Sequence, residues 1–383
     1  MRIAFYAPLK WPGHPTPSGD RLLARMFVAA LDAAGHEVVL ASRLRSFDGH
    51  GDAARQARLA SVGAAFARRL VRRWARPGAA TPELWFTYHV YHKAPDHLGP
   101  HVARALGIPY VIAEASIAPA QGDGAWRGGH ADAEAAIRDA DAVICVNPAD
   151  VPQVAAARGA GAITEVIAPF FDATAFVAAG EADAARAAAA AIAPPHDDPR
   201  LVTVAMMRDG DKLASYLALA EALERLRERR WHLVVVGGGK AEDTVHARFA
   251  ALGPGRVTFA GTQPPAIVAA LLSGADLFVW PAVAEVIGLA MLEAQACGVP
   301  VVAGRRPGVA SIVEDGVTGR LTPPGDVAAL AAAVASLLDD APLRRAMSRA
   351  ARGHVRARHD LPAAARALDA LLARVAALHE AAR

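Results

Sequence analysis

Short apolar runs recur along the whole chain at intervals that leave room for one helix between each pair, and this alternation constrains the fold more than any other feature. In the first half the runs are Arg2 to Ala7, Glu37 to Ala41, Leu84 to His89, Tyr110 to Ala113, Ala142 to Val146 and Glu165 to Ala168. In the second half they are Leu201 to Ala205, His232 to Val236, Val257 to Ala260, Leu277 to Trp280, Val299 to Ala303 and a short Gly319 to Thr322. Strands alternating with helices form parallel sheets covered on both faces. Each half therefore reads as one doubly wound parallel sheet in an α/β chain.

A length of 383 residues is also long for one core, so two domains of ordinary size are the default. Ala178 to Arg200 reads as an alanine-rich helix followed by Ala-Pro-Pro-His-Asp-Asp-Pro-Arg, and proline with acid after a helix marks a loop. The expected domains are residues 1–175 and 176–360. Beyond Pro324 the pattern is almost entirely helical, and a last helix over about 361–383 is expected to pack back on the first domain.

Hydrophobic residues make up 54% and charged residues 21%, an ordinary balance for a soluble enzyme. No apolar run approaches the ~20 residues that span a bilayer. The first run begins at the initiator and is too short for a signal-peptide core, which points to the cytoplasm. Cys145 and Cys297 fall in predicted buried elements and read as small apolar core residues. The net charge of +3 argues against dedicated nucleic-acid binding.

That charge is unevenly spread. Between Ala53 and Pro82 stand Arg55, Arg58, Arg68, Arg69, Arg72, Arg73 and Arg76 with no acid, and Phe66, Leu70, Val71 and Trp74 fall among them at helical spacing. Two readings stay open: a solvated face over an ordinary core stripe, or a basic face resting on an anionic membrane at its inner side.

Open parallel sheets bind ligands at the carboxyl ends of their strands, and two such sheets facing one another would make an interdomain cleft. Three glycine turns fall at strand ends. Gly19 closes the loop that begins at Pro8, Gly237 to Gly239 follow His232 to Val236, and Gly288 opens a helix expected to run to Cys297 and be closed by Gly298. Glycine permits close backbone approach and a helix N-terminus favours negative charge, so each turn is a candidate phosphate holder. Arg208 and Lys212, just after a strand, are candidate cations for a diphosphate, one able to grip with two N–H groups and the other a point charge. Glu285 and Glu293 flank Gly288 from the loop and from the helix. His89 and His92 complete no metal set with nearby ligands, so a core-edge or acceptor-side role is favoured for them. Asp20, beside Gly19, is either a helix cap or an acceptor contact.

These residues resemble the retaining glycosyltransferases of family 4, which have the two-domain GT-B fold. The resemblance covers nearly the whole chain. Its most specific part is Glu285-Val-Ile-Gly-Leu-Ala-Met-Leu-Glu293, followed by Pro300-Val-Val and Ile312 to Asp326. It implies that Glu293 binds the nucleotide ribose and that Glu285 faces the donor sugar. Gly288 and Leu289 would meet the diphosphate, with Gly19, Gly237 and Gly239 in the donor-binding turns. Lys212 with Arg208 would neutralise the leaving group, so that no metal or other cofactor is needed. The implied reaction moves a sugar from a nucleoside-diphosphate donor to a glycan, lipid-linked or small-molecule hydroxyl acceptor.

The chain departs from the family pattern at three places. Met206 stands where the basic pair usually begins, Glu114-Ala-Ser116 replaces a histidine near the sugar, and Val286-Ile287 replaces a small residue and an aromatic. Glu114 is thus either a sugar or acceptor contact or a satisfied loop acid. Rival readings of the same features are a nucleotide-sugar epimerase and a non-catalytic nucleotide-sugar-binding partner.

Overall fold

The computed structural model describes residues Met1 to Ala382 except Pro17 and Ala160. Arg383, the expected end of the last helix, and Pro17, in the loop before Gly19, lie outside the described residues. The chain divides into two compact units, Met1–Ala168 with Leu361–Arg383, and Pro169–Asp360.

In the first unit the strands are β1 (Arg2–Tyr6), β2 (Glu37–Leu40), β3 (Leu84–Val90), β4 (Tyr110–Ala115), β5 (Ala142–Cys145) and β6 (Ile163–Val166). They form one six-stranded parallel sheet in the order β2-β1-β3-β4-β5-β6. The centre is aromatic: Phe5, Tyr6, Trp85, Phe86, Tyr88 and Tyr110 are all almost fully buried. Asp96 is buried among them with no ion-pair partner among the described residues. Its two carboxylate oxygens instead accept from Thr87 Oγ1 at 2.5 Å, Tyr110 Oη at 2.9 Å, and the Leu98 and Gly99 amides at 2.8 Å each. Four donors on one carboxylate are how a buried charge is tolerated here. The helix Leu361–Ala381 belongs to this unit, burying Leu368, Leu371, Leu372 and Val375. Its polar anchors are Asp369 to His36 at 3.4 Å, His379 to Asp141 at 3.1 Å, and Arg374 to Glu165.

The second unit holds β7 (Arg200–Val204), β8 (His232–Val236), β9 (Val257–Gly261), β10 (Leu277–Trp280), β11 (Val301–Gly304) and β12 (Gly319–Thr322). Their order is β12-β11-β10-β7-β8-β9, again all parallel. Every residue of β8, β10 and β11 is buried, as sheets covered on both faces require.

Several expectations shift. β6 begins and ends two residues before the expected Glu165 to Ala168, because its partner β5 ends at Cys145 opposite Val166. Strand β11 starts at Val301 rather than Val299, since Pro300 has no N–H to give the ladder. The expected boundary at 175/176 moves back to 168/169. Phe171 forms a parallel bridge with Asp360, and its amide donates to the His359 carbonyl at 3.0 Å, fastening residues 169–173 into the second unit. The alanine-rich stretch is two helices, Ala173–Glu181 and Asp183–Ile192, separated where Ala182 turns extended, and both pack on the helix Pro265–Ser273. The helix Ala53–Trp74 buries Gly63, Ala67, Leu70 and Trp74 in 4-3-4 spacing, which leaves Phe66, expected in the stripe, 41% exposed. Cys145 and Cys297 are buried unpaired thiols, pushed up to about 12 and about 11 by burial.

Candidate active site

In each sheet the chain reverses its direction of travel once, and at that point the loops after two neighbouring strands part to leave a crevice at their carboxyl ends. The second unit reverses between β7 and β10. The strand order alone thus directs attention to the loops 205–210 and 281–288.

Lys212 is the second residue of the helix Asp211–Glu224 that follows β7. Glu285 lies in the loop after β10. The Lys212 ammonium donates to Glu285 Oε2, and Trp280 Nε1, at the end of β10, donates to the same oxygen at 3.1 Å. The ammonium also stands 5.4 Å from the Trp280 ring centroid, within cation–π range. Both hydrogen bonds fall on Oε2, so Oε1 is available to a ligand hydroxyl. The loop is held from below: the Val283 amide donates to Ser215 Oγ at 3.1 Å, and Ala282 adopts a positive φ of 53°.

Gly288 caps the next helix, Leu289–Ala296, with φ 82° and ψ 59°. A Cβ there would lie 2.2 Å from Met291 Cε and 3.2 Å from Glu285 Cγ, so a side chain at this position would strike both. The turn therefore brings the half-buried Leu289 amide end of the helix next to Glu285. The helix stops at Cys297, and Gly298 follows with φ 79°. Glu293 sits in its second turn. Burial raises its carboxyl from 4.5 to about 7, and it has no hydrogen bond or ion pair among the described residues. A half-buried carboxylate without a partner among the described residues can accept hydrogen bonds from the hydroxyls of a ligand.

The Gly237 to Gly239 turn has a different physical basis from the one its sequence suggests. A Cβ on Gly237 would fall 1.9 Å from the Ala205 carbonyl oxygen, and one on Gly239 2.3 Å from that of Met207. These glycines admit the neighbouring loop's backbone, which is locked by Met207 N–H to the Gly238 carbonyl and Ala241 N–H to the Met207 carbonyl, both at 2.9 Å. They fix the loop that carries Arg208. Arg208 itself is exposed and makes no side-chain hydrogen bond or ion pair among the described residues, so it does not join the Lys212 cluster.

The first unit reverses between β1 and β3, and there too an acid and an imidazole meet across the reversal. Asp20 lies in the first turn of the helix Gly19–Ala33, whose cap is Ser18 and not Asp20. His89, in β3, places Nδ1 3.1 Å from Asp20 Oδ1, a contact that holds the Asp20 carboxyl below its ordinary value. Glu114, at the end of β4, encloses its Oε2 without a hydrogen-bond partner, and burial raises its carboxyl. His89 and Glu114 have φ of 65° and 62°, a region that non-glycine residues rarely adopt. Asp150 is raised by burial as well, with a Ser116 hydrogen bond opposing. His92 does not join this group: it packs edge-on against Trp126, and burial lowers its imidazole. Among the described residues, no group of three or more His, Cys, Asp or Glu side chains is placed to hold a metal ion.

Sequence reasoning missed Trp280, Ser215 and Asp150. The one available signal was position, since Trp280 ends an apolar strand immediately before the Glu285 loop.

Two doubly wound parallel sheets of these orders in one chain are the GT-B fold. Solved structures share it over nearly the whole length: sucrose-phosphate synthase from Thermosynechococcus elongatus at TM-score 0.69 and 22% identity, covering 98% of this chain and 99% of that one. Anabaena Alr3699/HepE in complex with UDP and glucose gives TM-score 0.69 and 18% identity, covering 97% and 99%. Residues 188–354, the stretch that carries Arg208, Lys212, Glu285 and Glu293, match the family described as Glycosyl transferases group 1.

Similar curated proteins include the D-inositol 3-phosphate glycosyltransferase of Corynebacterium aurimucosum, 39% identical over 142 residues, which are 36% of this chain and 34% of that one. The Mycobacterium avium protein of the same name is 47% identical over 100 residues, 26% and 24% of the two chains. The chain thus spans about a third of the length of the first of these relatives. No helix among the described residues is long and apolar enough to cross a membrane.

Proposed function

We propose that the chain is a family 4 retaining glycosyltransferase that moves a sugar from a nucleoside-diphosphate sugar to a hydroxyl acceptor, in the synthesis of a cell-envelope polysaccharide, glycolipid or related glycoconjugate in the cytoplasm. The observation that carries this reading is the Lys212, Glu285 and Trp280 cluster at the strand reversal of the second unit, beside the helix that begins at Gly288. The match of residues 188–354 to group 1 glycosyltransferases and the UDP and glucose in the HepE complex support it.

In this reading Glu293 accepts hydrogen bonds from the ribose hydroxyls, and the amides after Gly288 meet the diphosphate. Lys212 keeps its hold on Glu285 Oε2 and meets the phosphate with its remaining N–H groups as negative charge develops there, while Glu285 Oε1 accepts from the hydroxyls of the donor sugar. A cation and a helix N-terminus already in place stabilise the departing diphosphate without reorganisation, which is the role a metal would otherwise fill. The bond from the anomeric carbon to the phosphate oxygen breaks as the acceptor oxygen bonds to the same face of that carbon. The acceptor proton passes to the leaving phosphate oxygen, and the configuration is retained. Asp20, His89 and Glu114 form the acceptor side.

The test begins with thermal shifts against UDP, GDP and ADP sugars, because a ligand that binds the folded state raises apparent stability. A uridine nucleotide is expected to give the largest shift. Turnover with an acceptor, followed by NMR of the product, should show a retained anomeric centre; an inverted centre, or conversion of the donor without any acceptor, would overturn the proposal.

A further inference from the structure

The arginines between Ala53 and Pro82 are sorted by the fold. Arg55 donates to the Phe47 carbonyl at 3.3 Å, and Arg68 faces a neighbouring, mostly apolar hollow that it shares with His101 and Arg72. Arg69, Arg72, Arg73 and Arg76 line a cavity of about 780 Å³, joined by Arg43 from the segment after β2, with the exposed Phe66 in the same wall. The Arg43 guanidinium is held 4.6 Å from the ring centroid of Trp11. None of these five arginines has a carboxylate partner among the described residues.

Elsewhere on the surface arginines are commonly paired, as Arg104 is with Asp139 at 2.7 Å, Arg138 with Glu134 at 2.9 Å and Arg248 with Glu224 at 3.0 Å. Arg72 and Arg73 lie in the last turn of their helix, where cations suit the helix dipole. That accounts for neither Arg69, a turn earlier, nor Arg43, on another segment. Like charges three and four residues apart on one helix repel each other, and here no acid relieves them. A multivalent anion would, and guanidinium forks match phosphate oxygens in geometry as well as charge. The volume is that of a small-molecule site rather than of a single ion.

We propose that this groove is a binding site for a phosphate-bearing ligand, its phosphate held by the guanidinium cluster and its body lying against Phe66. The same chemistry is offered by a lipid headgroup and by a free phosphorylated compound. Two probes separate them on the full chain: titration calorimetry with inorganic tripolyphosphate, and co-sedimentation with phosphatidylcholine vesicles that contain or lack phosphatidylglycerol, both at about 0.15 M salt to screen long-range attraction.

The variant Arg69→Ala/Arg73→Ala opens the groove. The variant Arg58→Ala/Arg68→Ala removes the same charge from the same helix outside it. All four side chains are exposed, so melting temperatures should stay at the wild-type value and report intact folding. The groove variant should weaken binding of at least one probe by roughly tenfold or more, with the control within about twofold, since charge-assisted bidentate contacts are lost only from the former. Loss confined to the vesicles assigns a lipid headgroup; loss of tripolyphosphate binding assigns a free phosphorylated ligand. Equal losses in the two variants, or no binding of either probe by the wild type, would overturn the proposal.

Discussion

Replacing Glu293 by glutamine removes a carboxyl that the fold makes reluctant to ionise. Burial lifts it from 4.5 to about 7, so between those values the folded chain holds a proton that the unfolded chain has released. The folded state then binds more protons than the unfolded one, and stability falls as pH rises through this window, levelling off above pH about 7. At about 1.4 kcal/mol per pH unit, the ionised side chain carries roughly 3 kcal/mol of destabilisation at pH about 8. Glutamine keeps the shape and never ionises. The variant should therefore match the wild type near pH 5 and exceed it near pH 8, by roughly 6–12 °C in melting temperature for a unit of this size. Melting curves of both proteins across that range, without ligand, make the test. Hydroxyl donors from a bound nucleotide favour the ionised form, so a saturating uridine nucleotide should shrink the gap at pH 8. A gap that does not change with pH, or a variant less stable than wild type at pH 8, would refute the reasoning.

Other outcomes follow from the same geometry. Lys212→Ala should lower turnover by roughly a hundredfold or more with little change in melting temperature, because a preorganised cation acts mainly on the charged transition state; unchanged kcat with a confirmed donor would remove Lys212 from the site. Asp96→Ala strands four buried donors, among them the Thr87 and Tyr110 hydroxyls, and should cost about 3–5 kcal/mol in urea unfolding of the first unit, whereas a loss below about 1 kcal/mol would mean the network relaxes. Gly237→Ala drives a methyl to within 1.9 Å of the Ala205 carbonyl at a φ of 139°, so it should destabilise the second unit by roughly 2 kcal/mol or more and weaken nucleotide binding with it, as calorimetry on the variant would show.

What the sequence made visible was whatever depends on local pattern. All twelve strands were legible, most of them as short apolar runs, and the helix after Gly288 was legible because glycines mark both its ends. Features that depend on tertiary contact were not. The boundary lies at Pro169 because Phe171 pairs with Asp360, 189 positions away, and no local pattern announces that bridge. Asp20 and His89 meet only because β1 and β3 are neighbours in the sheet. Gly237 and Gly239 carry a phosphate-turn signature, yet their Cα atoms face the carbonyls of an adjacent loop, a use of glycine that looks identical in sequence. Phe66 was misplaced by a single helical position, about 100° of rotation, which is the difference between a core and a groove wall.

The helix Leu361–Ala381 completes the first unit, yet the ribosome makes it only after every residue of the second. Before it emerges, the faces that receive Leu368, Leu371, Leu372 and Val375 stand bare, and His36, Asp141 and Glu165 lack their partners. The second unit is an uninterrupted stretch with its own sheet and can close as soon as residue 360 clears the exit tunnel. The order of maturation is therefore the reverse of the order of synthesis: the unit begun first is finished last, and it waits with part of its core exposed.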